Sequence, residues 1–423
     1  MALVAAACGN STPVNTSTQS STTQPVTLHM LALGGAADAY WTQTVTDFQR
    51  KYPNITIQRE VVNGSDFDAK WNAYIAARSG PDLVAIQAGA YWLAYKDALQ
   101  PLNELRPDTA NYNEPEMFCQ DFDCRKNVYA VPYNLQGYVL YYNKSVLQSA
   151  GLDPNNPPRT WRAMAAACPQ IQASGKSCWE LGLKRSGGGI LEYQLVQQTM
   201  TLAQQQGFAA GKTKWTDPEV VSSIQLFQDG VKRGWFNKDA PGLAHIGDAE
   251  SVFESGKSAF IMGFVAEVLN YSVLARAIGS DNLGAMPVPQ IEDGYPLSGV
   301  RPGPLSKLSA ISSATAWGVP IWSKEKQAAM LWIRFAGDAA NQGRMFQYSQ
   351  PARKNLDSAA IQSPAFQQLQ TLIQQSKGNL LAFYAGVAVY GPISQEFAKV
   401  FLGQETPDQA AQNLQKVADQ GHP

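Results

Sequence analysis

Val128–Lys144 reads VYAVPYNLQGYVLYYNK, and how this stretch folds decides the rest. Alternation of apolar and other residues through Val128 and Ala130, and again through Val139 and Tyr141, marks extended backbone on both sides. Between the two runs lies a polar break at Asn134, Gln136 and Gly137. The pattern predicts two extended segments meeting at a crossing between two lobes. Amide side chains supply hydrogen-bond donors and acceptors without charge, and Gly137 adds backbone freedom, both of which suit the wall of a cleft. The competing reading is an ordinary hairpin with a polar tip.

Upstream, Val26–Leu33 reads as a buried strand. The small-residue turn Gly34-Gly35-Ala36-Ala37-Asp38 then feeds a helix with Trp41, Val45, Phe48 and Tyr52 at helical spacing, stopped by Pro53. Ile55–Val62 alternates as a second strand. Asn63-Gly64-Ser65-Asp66 supplies a turn and N-cap for a helix carrying Phe67, Trp71, Tyr74 and Ile75. Ser79-Gly80-Pro81-Asp82 ends that helix before the strand Leu83–Ile86. The order strand, helix, strand, helix, strand predicts a doubly wound α/β lobe with a mostly parallel sheet. Downstream, helices are expected at Val146–Ala150, from Thr160-Trp161, over Leu191–Gln206 as one long element, and from Asp217-Pro218-Glu219. Ser258–Gly263 and Thr315–Pro320 read as strands, and Lys324–Phe335, Ala365–Gln375 and Thr406–Ala418 as the last helices.

A chain of 423 residues exceeds one ordinary core, which favours two lobes. With 16% charged residues and a net charge of -1 it has no field to attract nucleic acid or an anionic membrane. Three scattered histidines, His29, His245 and His422, give little basis for metal or histidine acid–base chemistry. Ten Trp, 17 Tyr and 16 Phe suffice to fill two cores and line a site. No apolar run reaches the roughly 20 residues that span a bilayer.

Cys119 with Cys124 and Cys168 with Cys178 form two sequence-local pairs. In an exported chain the simplest reading is two disulfides closing short loops. Zinc is the alternative, opposed by the lack of C-x2-C spacing and of a neighbouring histidine. Cys8 follows the small apolar run Leu3–Ala7 and precedes a Ser/Thr/Gln-rich tract to Gln24, which looks like the end of a bacterial lipoprotein signal. Cys8 would then be the lipidated first residue, and residues 1–25 a signal remnant and tether. The basic leader is missing, so the numbered start reads as truncated or alternative; the competing reading is a free terminal thiol.

Several pieces recur in one order: FQRKYPNITI, ARSGPDLVAIQ, ALQPLNEL, the opening stretch continued as SVLQSAGL and PPRTW, FESGKSAFIMG, AMPVPQ, AWGVPIWSKEKQAAMLWIRFAG, PARKNL and LGQETPDQAA. From Val26 to Ala418 the chain thereby resembles the carbohydrate-binding subunits of bacterial ABC importers, of the maltose-binding-protein type. The resemblance implies a two-lobed α/β periplasmic-binding-protein fold of type II, with doubly wound lobes joined by two or three crossing strands. The first lobe would hold 26–134 plus 285–340, the second 135–284 plus 341–423. It also implies capture of a mono- or oligosaccharide or polyol by hinge closure, delivery to an ABC permease, and neither catalysis nor cofactor nor metal. The chain would be a monomer, lipid-anchored to the outer face of the bacterial cell membrane or else periplasmic, with the membrane touched only through lipid.

A neutral sugar needs aromatic planes for its ring faces and amides, carboxylates or arginine for its hydroxyl rim. Ligand loops carried over from the family fall on Gly34–Asp38, Asn63–Asp66, Gln87–Trp92, Asn134–Gln136, Gly263–Glu267, Ser312–Trp317 and Arg353. The first three follow strands at their carboxyl ends, where open α/β sheets bind ligands. Asp38, Asp66, Gln87, Asn134, Gln136, Glu267, Ser313 and Arg353 are the hydroxyl candidates. Tyr91, Trp92, Phe264, Trp317 and Tyr384 are the stacking candidates. Asp38 and Asp66 also read as plain helix caps, Trp92 and Trp317 as lobe core, and Trp41 and Trp71 are assigned to the core. Gly175-Lys176-Ser177 and Gly256-Lys257-Ser258 lack the first glycine of a P-loop, having Gln170 and Ser251 there. Distant paired carboxylates keep a secreted carbohydrate-active hydrolase as the alternative.

Overall fold

The strands, in chain order, are β1 (Val26–Leu33), β2 (Ile55–Val62), β3 (Leu83–Gln87), β4 (Ala130–Asn143), β5 (Ser177–Glu180), β6 (Ser258–Phe264), β7 (Leu283–Met286) and β8 (Ala310–Gly318). The computed structural model describes residues 24–35, 37–62, 64–88, 90–113, 118–120, 124–184, 190–266, 271–297, 300–304, 310–358, 361, 363–376 and 381–421. The strands form one sheet in the order β2-β1-β3-β8-β4-β6-β5, with β7 beside β4. β1 pairs parallel with both β2 and β3, as the strand–helix alternation requires. The ladder turns antiparallel from β3 to β8 to β4 to β6.

The opening stretch is neither a hairpin nor two segments. It is a single 14-residue strand, almost wholly buried, that runs from one lobe into the other. Its register against β8 slips between Pro132 and Asn134 and again between Asn134 and Leu135. Irregularities of this kind bend a strand and redirect its side chains, so the polar break is a bulged seam and Gly137 lies within the strand.

In the first lobe the helix Asp38–Lys51 buries Tyr40, Trp41, Thr44 and Phe48 on one face. The Phe48 ring meets Trp332 and Phe335 of the helix Lys326–Ala336, each at 5.4 Å between centroids. Full burial of such a side chain contributes about 1.5–3 kcal/mol. In the second lobe Thr160 caps the helix Trp161–Ala173, its Oγ1 accepting the Ala163 N–H at 3.1 Å. The expected long helix over Leu191–Gln206 is two helices, Ile190–Gln198 and Leu202–Ala209. Thr201 ends the continuity because it forms a reciprocal capping box with Gln204.

β7 pairs with Leu140–Asn143 of β4, and the Gly303 N–H reaches the Gln198 carbonyl at 2.6 Å. β8 pairs with both β3 and β4. The helix Ala339–Met345 packs on the helix Asp38–Lys51, Tyr40 Oη donating to the Asn341 carbonyl at 3.1 Å. Beyond it Pro351 bridges to Asn134, and the Leu135 N–H donates to the Gln350 carbonyl at 2.8 Å.

Both cysteine pairs are disulfides, Cys119–Cys124 with 5.0 Å between Cα atoms and Cys168–Cys178 with 5.2 Å. Their sulfurs bond each other, which displaces the zinc reading. Cys8 lies outside the described residues. No described helix is long and apolar enough to cross a membrane.

Candidate functional site

The sheet delivers residues from both lobes to a cleft of about 210 Å³ at the seam between them. From the first lobe come the turn after β1 (Gly34, Gly35, Ala37), Asp38 and Trp41 at the start of the following helix, and Gln87 at the end of β3. From the crossing strands come Tyr133, Asn134 and Gln136 of β4 and Thr315 of β8; Ala266, just after β6, closes the second-lobe side. The strand ends gather here because parallel strands on one side of a sheet present their carboxyl termini to the same edge.

Asn134 is only 5% exposed, and its Oδ1 accepts the Thr315 N–H at 3.0 Å. Gln136 accepts the Gly137 N–H on Oε1 at 3.0 Å, and its Nε2 makes no hydrogen bond among the described residues. Asp38 is not a helix cap: the first turn has no side-chain cap, and Asp38 Oδ1 accepts from Arg59 Nη2 instead. Among the described lining residues Asp38 is the one charged side chain. Trp41 stands edge-on to Tyr133, with centroids 4.8 Å apart, and both rings rest against Trp317, at 5.4 and 5.1 Å. Edge-to-face rings at these distances hold one another in place. The arrangement offers amides and a carboxylate for hydroxyls and two braced aromatic rings for an apolar ring face.

Four of the expected residues therefore meet in one cleft: Asp38, Gln87, Asn134 and Gln136. Trp317 is one layer behind, 2% exposed, bracing Trp41 and Tyr133 and not facing the cleft. The others are elsewhere. Asp66 is exposed in the first turn of the helix Gly64–Ala77 and does not line the cleft. Trp92 is core, 1% exposed, its ring 5.5 Å from Tyr129. Phe264 packs on Tyr138 at 5.5 Å. Ser313 is fully buried, its hydroxyl donating to the Asn113 carbonyl. Arg353 lines a different cavity, where Nη1 donates to the Gly337 carbonyl at 2.9 Å and its guanidinium lies over the Tyr112 ring. Tyr384 is buried, directly after the turn Leu381–Phe383 that packs on the helix Ile190–Gln198, and does not line the cleft. Glu267 and the Tyr91 side chain lie outside the described residues.

Of the lining residues, Tyr133 carried no expectation, Thr315 falls within the expected Ser312–Trp317 loop, and Trp41, assigned to the core, is buried at 5% exposed yet borders the cleft. Trp41 had a signal: it lies three residues beyond Asp38, on the same face of the first helical turn, directly after a strand-end loop. Tyr133 adjoins Asn134 in the crossing strand, and Thr315 is its cross-strand neighbour.

The family of bacterial extracellular solute-binding proteins matches residues 43–372. The sn-glycerol-3-phosphate-binding periplasmic protein of Pectobacterium atrosepticum is 28% identical over 181 residues, which is 40% of this chain and 41% of that relative. The matched part thus spans about two fifths of the relative's length. Among solved structures, a chitin oligosaccharide binding protein has a TM-score of 0.76 at 22% identity, covering 94% of this chain and 99% of that one. A probable secreted solute-binding lipoprotein from Streptomyces coelicolor has a TM-score of 0.74 at 18% identity, covering 93% and 99%. At such identities the likeness is one of fold: two lobes with a cleft between them. With the family match spanning most of its length, this chain belongs to the bacterial extracellular solute-binding proteins.

Proposed function

We propose that the chain captures a neutral carbohydrate, a mono- or oligosaccharide or polyol, by closing its lobes on it, and delivers it unchanged to an ABC permease. The observation that carries this reading is the composition of the seam: Gln87, Asn134 and Gln136 beside the braced pair Trp41 and Tyr133, with Asp38 as the one described charge. Amides and a carboxylate match a hydroxyl rim, and aromatic rings match a sugar face. The chitin oligosaccharide binding protein of like fold supports the same ligand class. The relative named for sn-glycerol 3-phosphate suggests an anion, but a phosphate calls for a facing cation, and the described lining supplies none.

Closure would bend β4, β8 and the connection after Met345. The protein would work as a monomer, held at the outer face of the cell membrane by a lipid on Cys8; loss of detergent-phase partitioning in Cys8→Ser checks the anchor. The main test is a thermal-shift screen against mono-, di- and trisaccharides and polyols, with sn-glycerol 3-phosphate, peptides and polyamines as controls. Binding to the native state alone stabilises by about 2.7 kcal/mol at one hundred times the dissociation constant. A shift with a neutral sugar, recovered intact afterwards, supports the reading; a shift only with a control, or breakdown of the sugar, overturns it.

A further inference from the structure

We infer that Arg59 is a positioning residue for the ligand, acting through Asp38, and that the pair sets the cleft's preference for neutral over anionic ligands. This rests on the carbohydrate reading above. Arg59 is on β2 and does not line the cleft; its side chain is 11% exposed, against 51% for Asp38. The guanidinium is held at two points on the first helical turn. Nη2 donates to Asp38 Oδ1, and Nη1 donates to Thr42 Oγ1 at 3.1 Å. Thr42 in turn donates its hydroxyl to the Asp38 carbonyl at 3.0 Å. Asp38 Oδ1 is thus committed inward, and Oδ2, which makes no hydrogen bond among the described residues, is the oxygen left for a ligand hydroxyl.

Charge gives the second half. Asp38 is the ion-pair partner of Arg59, and the Arg59 Nε is buried without a partner among the described residues. One positive and one negative charge leave this wall of the cleft neutral. If Asp38 loses its charge, a guanidinium remains one layer behind the wall and attracts anions. If Arg59 loses its charge, a lone carboxylate repels them and is no longer fixed in direction. The planar fork of arginine holds a carboxylate and a hydroxyl at once, which the single ammonium of lysine does less well.

The test is calorimetric titration of the full chain with the neutral sugar that binds best and with its uronic acid, in the wild type, Arg59→Met, Arg59→Lys, Asp38→Asn and Asp38→Asn/Arg59→Met. Circular dichroism melts confirm that each variant is folded at the titration temperature. Arg59→Met should weaken the neutral sugar about tenfold, and Arg59→Lys should recover part of that. In the Asp38→Asn background Arg59→Met should change neutral-sugar affinity less than twofold, because the path runs through Asp38. Asp38→Asn should raise the ratio of uronate to neutral affinity at least tenfold, and adding Arg59→Met should abolish the gain. The same loss from Arg59→Met in both backgrounds, wild-type affinity in Arg59→Met, or an unchanged uronate ratio in Asp38→Asn overturns the inference while leaving the carbohydrate reading intact. A wild-type chain that takes no neutral sugar overturns that reading and this inference together.

Discussion

Asn134 Oδ1 accepts the Thr315 N–H at 3.0 Å, so a side chain of one crossing strand holds the main chain of the other where their register slips. A regular ladder would pair that N–H with a backbone carbonyl; at the bulge the amide takes its place. Both residues are buried, 5% and 8% exposed, so the N–H has no water to turn to. Asn134 therefore serves the seam and the cleft wall at once. Asn134→Ala orphans a buried donor and should cost about 1–3 kcal/mol of stability, read as a lower urea midpoint, with weaker ligand binding at temperatures where the variant is folded. A midpoint equal to wild type would show that the seam does not depend on this bond.

Trp41 should report the ligand. It is the one tryptophan among the described residues that line the cleft, whereas Trp92 and Trp71 are core, 1% and 0% exposed. Ligand binding should change the intrinsic fluorescence of the wild type. Trp41→Phe should abolish most of that change and weaken affinity by about 1–2 kcal/mol through lost ring contact, while Trp92→Phe keeps both. A signal that survives in Trp41→Phe would place the responding ring elsewhere.

The course of the sheet was legible where alternation is long. β1 and β2 run from Val26 to Leu33 and from Ile55 to Val62, as expected from a buried apolar run in the first and alternation in the second, because eight residues of clear patterning leave little choice of register. The four-residue strands β5 and β7 carried no such signal; they are strands because β6 and β4 offer them an edge. The site divided along similar lines. Asp38 just after β1, Gln87 at the end of β3, and Asn134 and Gln136 in the polar break of β4 do meet in one cleft, because a polar residue in a loop after a strand or in an otherwise apolar strand stands out from the pattern around it. Aromatics do not stand out in this way, since Trp41 and Trp92 both stand in the first turn of a helix that follows a strand, and only Trp41 borders the cleft. Arg353 and Ser313 lie away from the cleft because of partners that no local pattern shows, the Gly337 carbonyl 16 residues upstream and the Asn113 carbonyl 200 residues upstream.

Two buried groups of the second lobe should give stability a dependence on pH from opposite sides. Burial raises the Glu180 carboxyl to about 7, opposed by Ser177 and assisted by Asp239. A carboxyl whose folded value exceeds its unfolded one stabilises fully below the unfolded value, near 4.5, and that contribution is lost as pH rises through 7. Glu180→Gln, neutral at every pH, should therefore exceed the wild type by about 1–3 kcal/mol at pH 8 and match it near pH 4. His245 runs the other way. Burial lowers it to about 4, opposed by its bond to the Met262 carbonyl. Its contribution is complete above 6.5 and is lost as pH falls through 4. Melting midpoints from pH 4 to 9 check both, and an unaltered alkaline limb in Glu180→Gln would sink the assignment.

The two disulfides should separate by accessibility. Cys168 lies on the helix Trp161–Ala173 and Cys178 on β5, 0% and 1% exposed, so their bond ties helix to strand inside the second lobe. Cys119–Cys124 instead closes a loop next to the start of β4, where the Tyr129 N–H donates to the Phe118 carbonyl at 3.1 Å, and Cys124 is half-buried. Thiolate attack needs access to the sulfur, so mild reduction of the folded protein should release two thiols quickly and two more only on unfolding. Loop closure over sequence separations of 5 and 10 predicts stabilisation of about 2 and about 3 kcal/mol. Cys119→Ala/Cys124→Ala should thus lower the urea midpoint less than Cys168→Ala/Cys178→Ala, which also empties a dry interior site. Thiol counting against time gives the check: four thiols appearing in one phase would mean that the buried bond is no better shielded than the one in the loop.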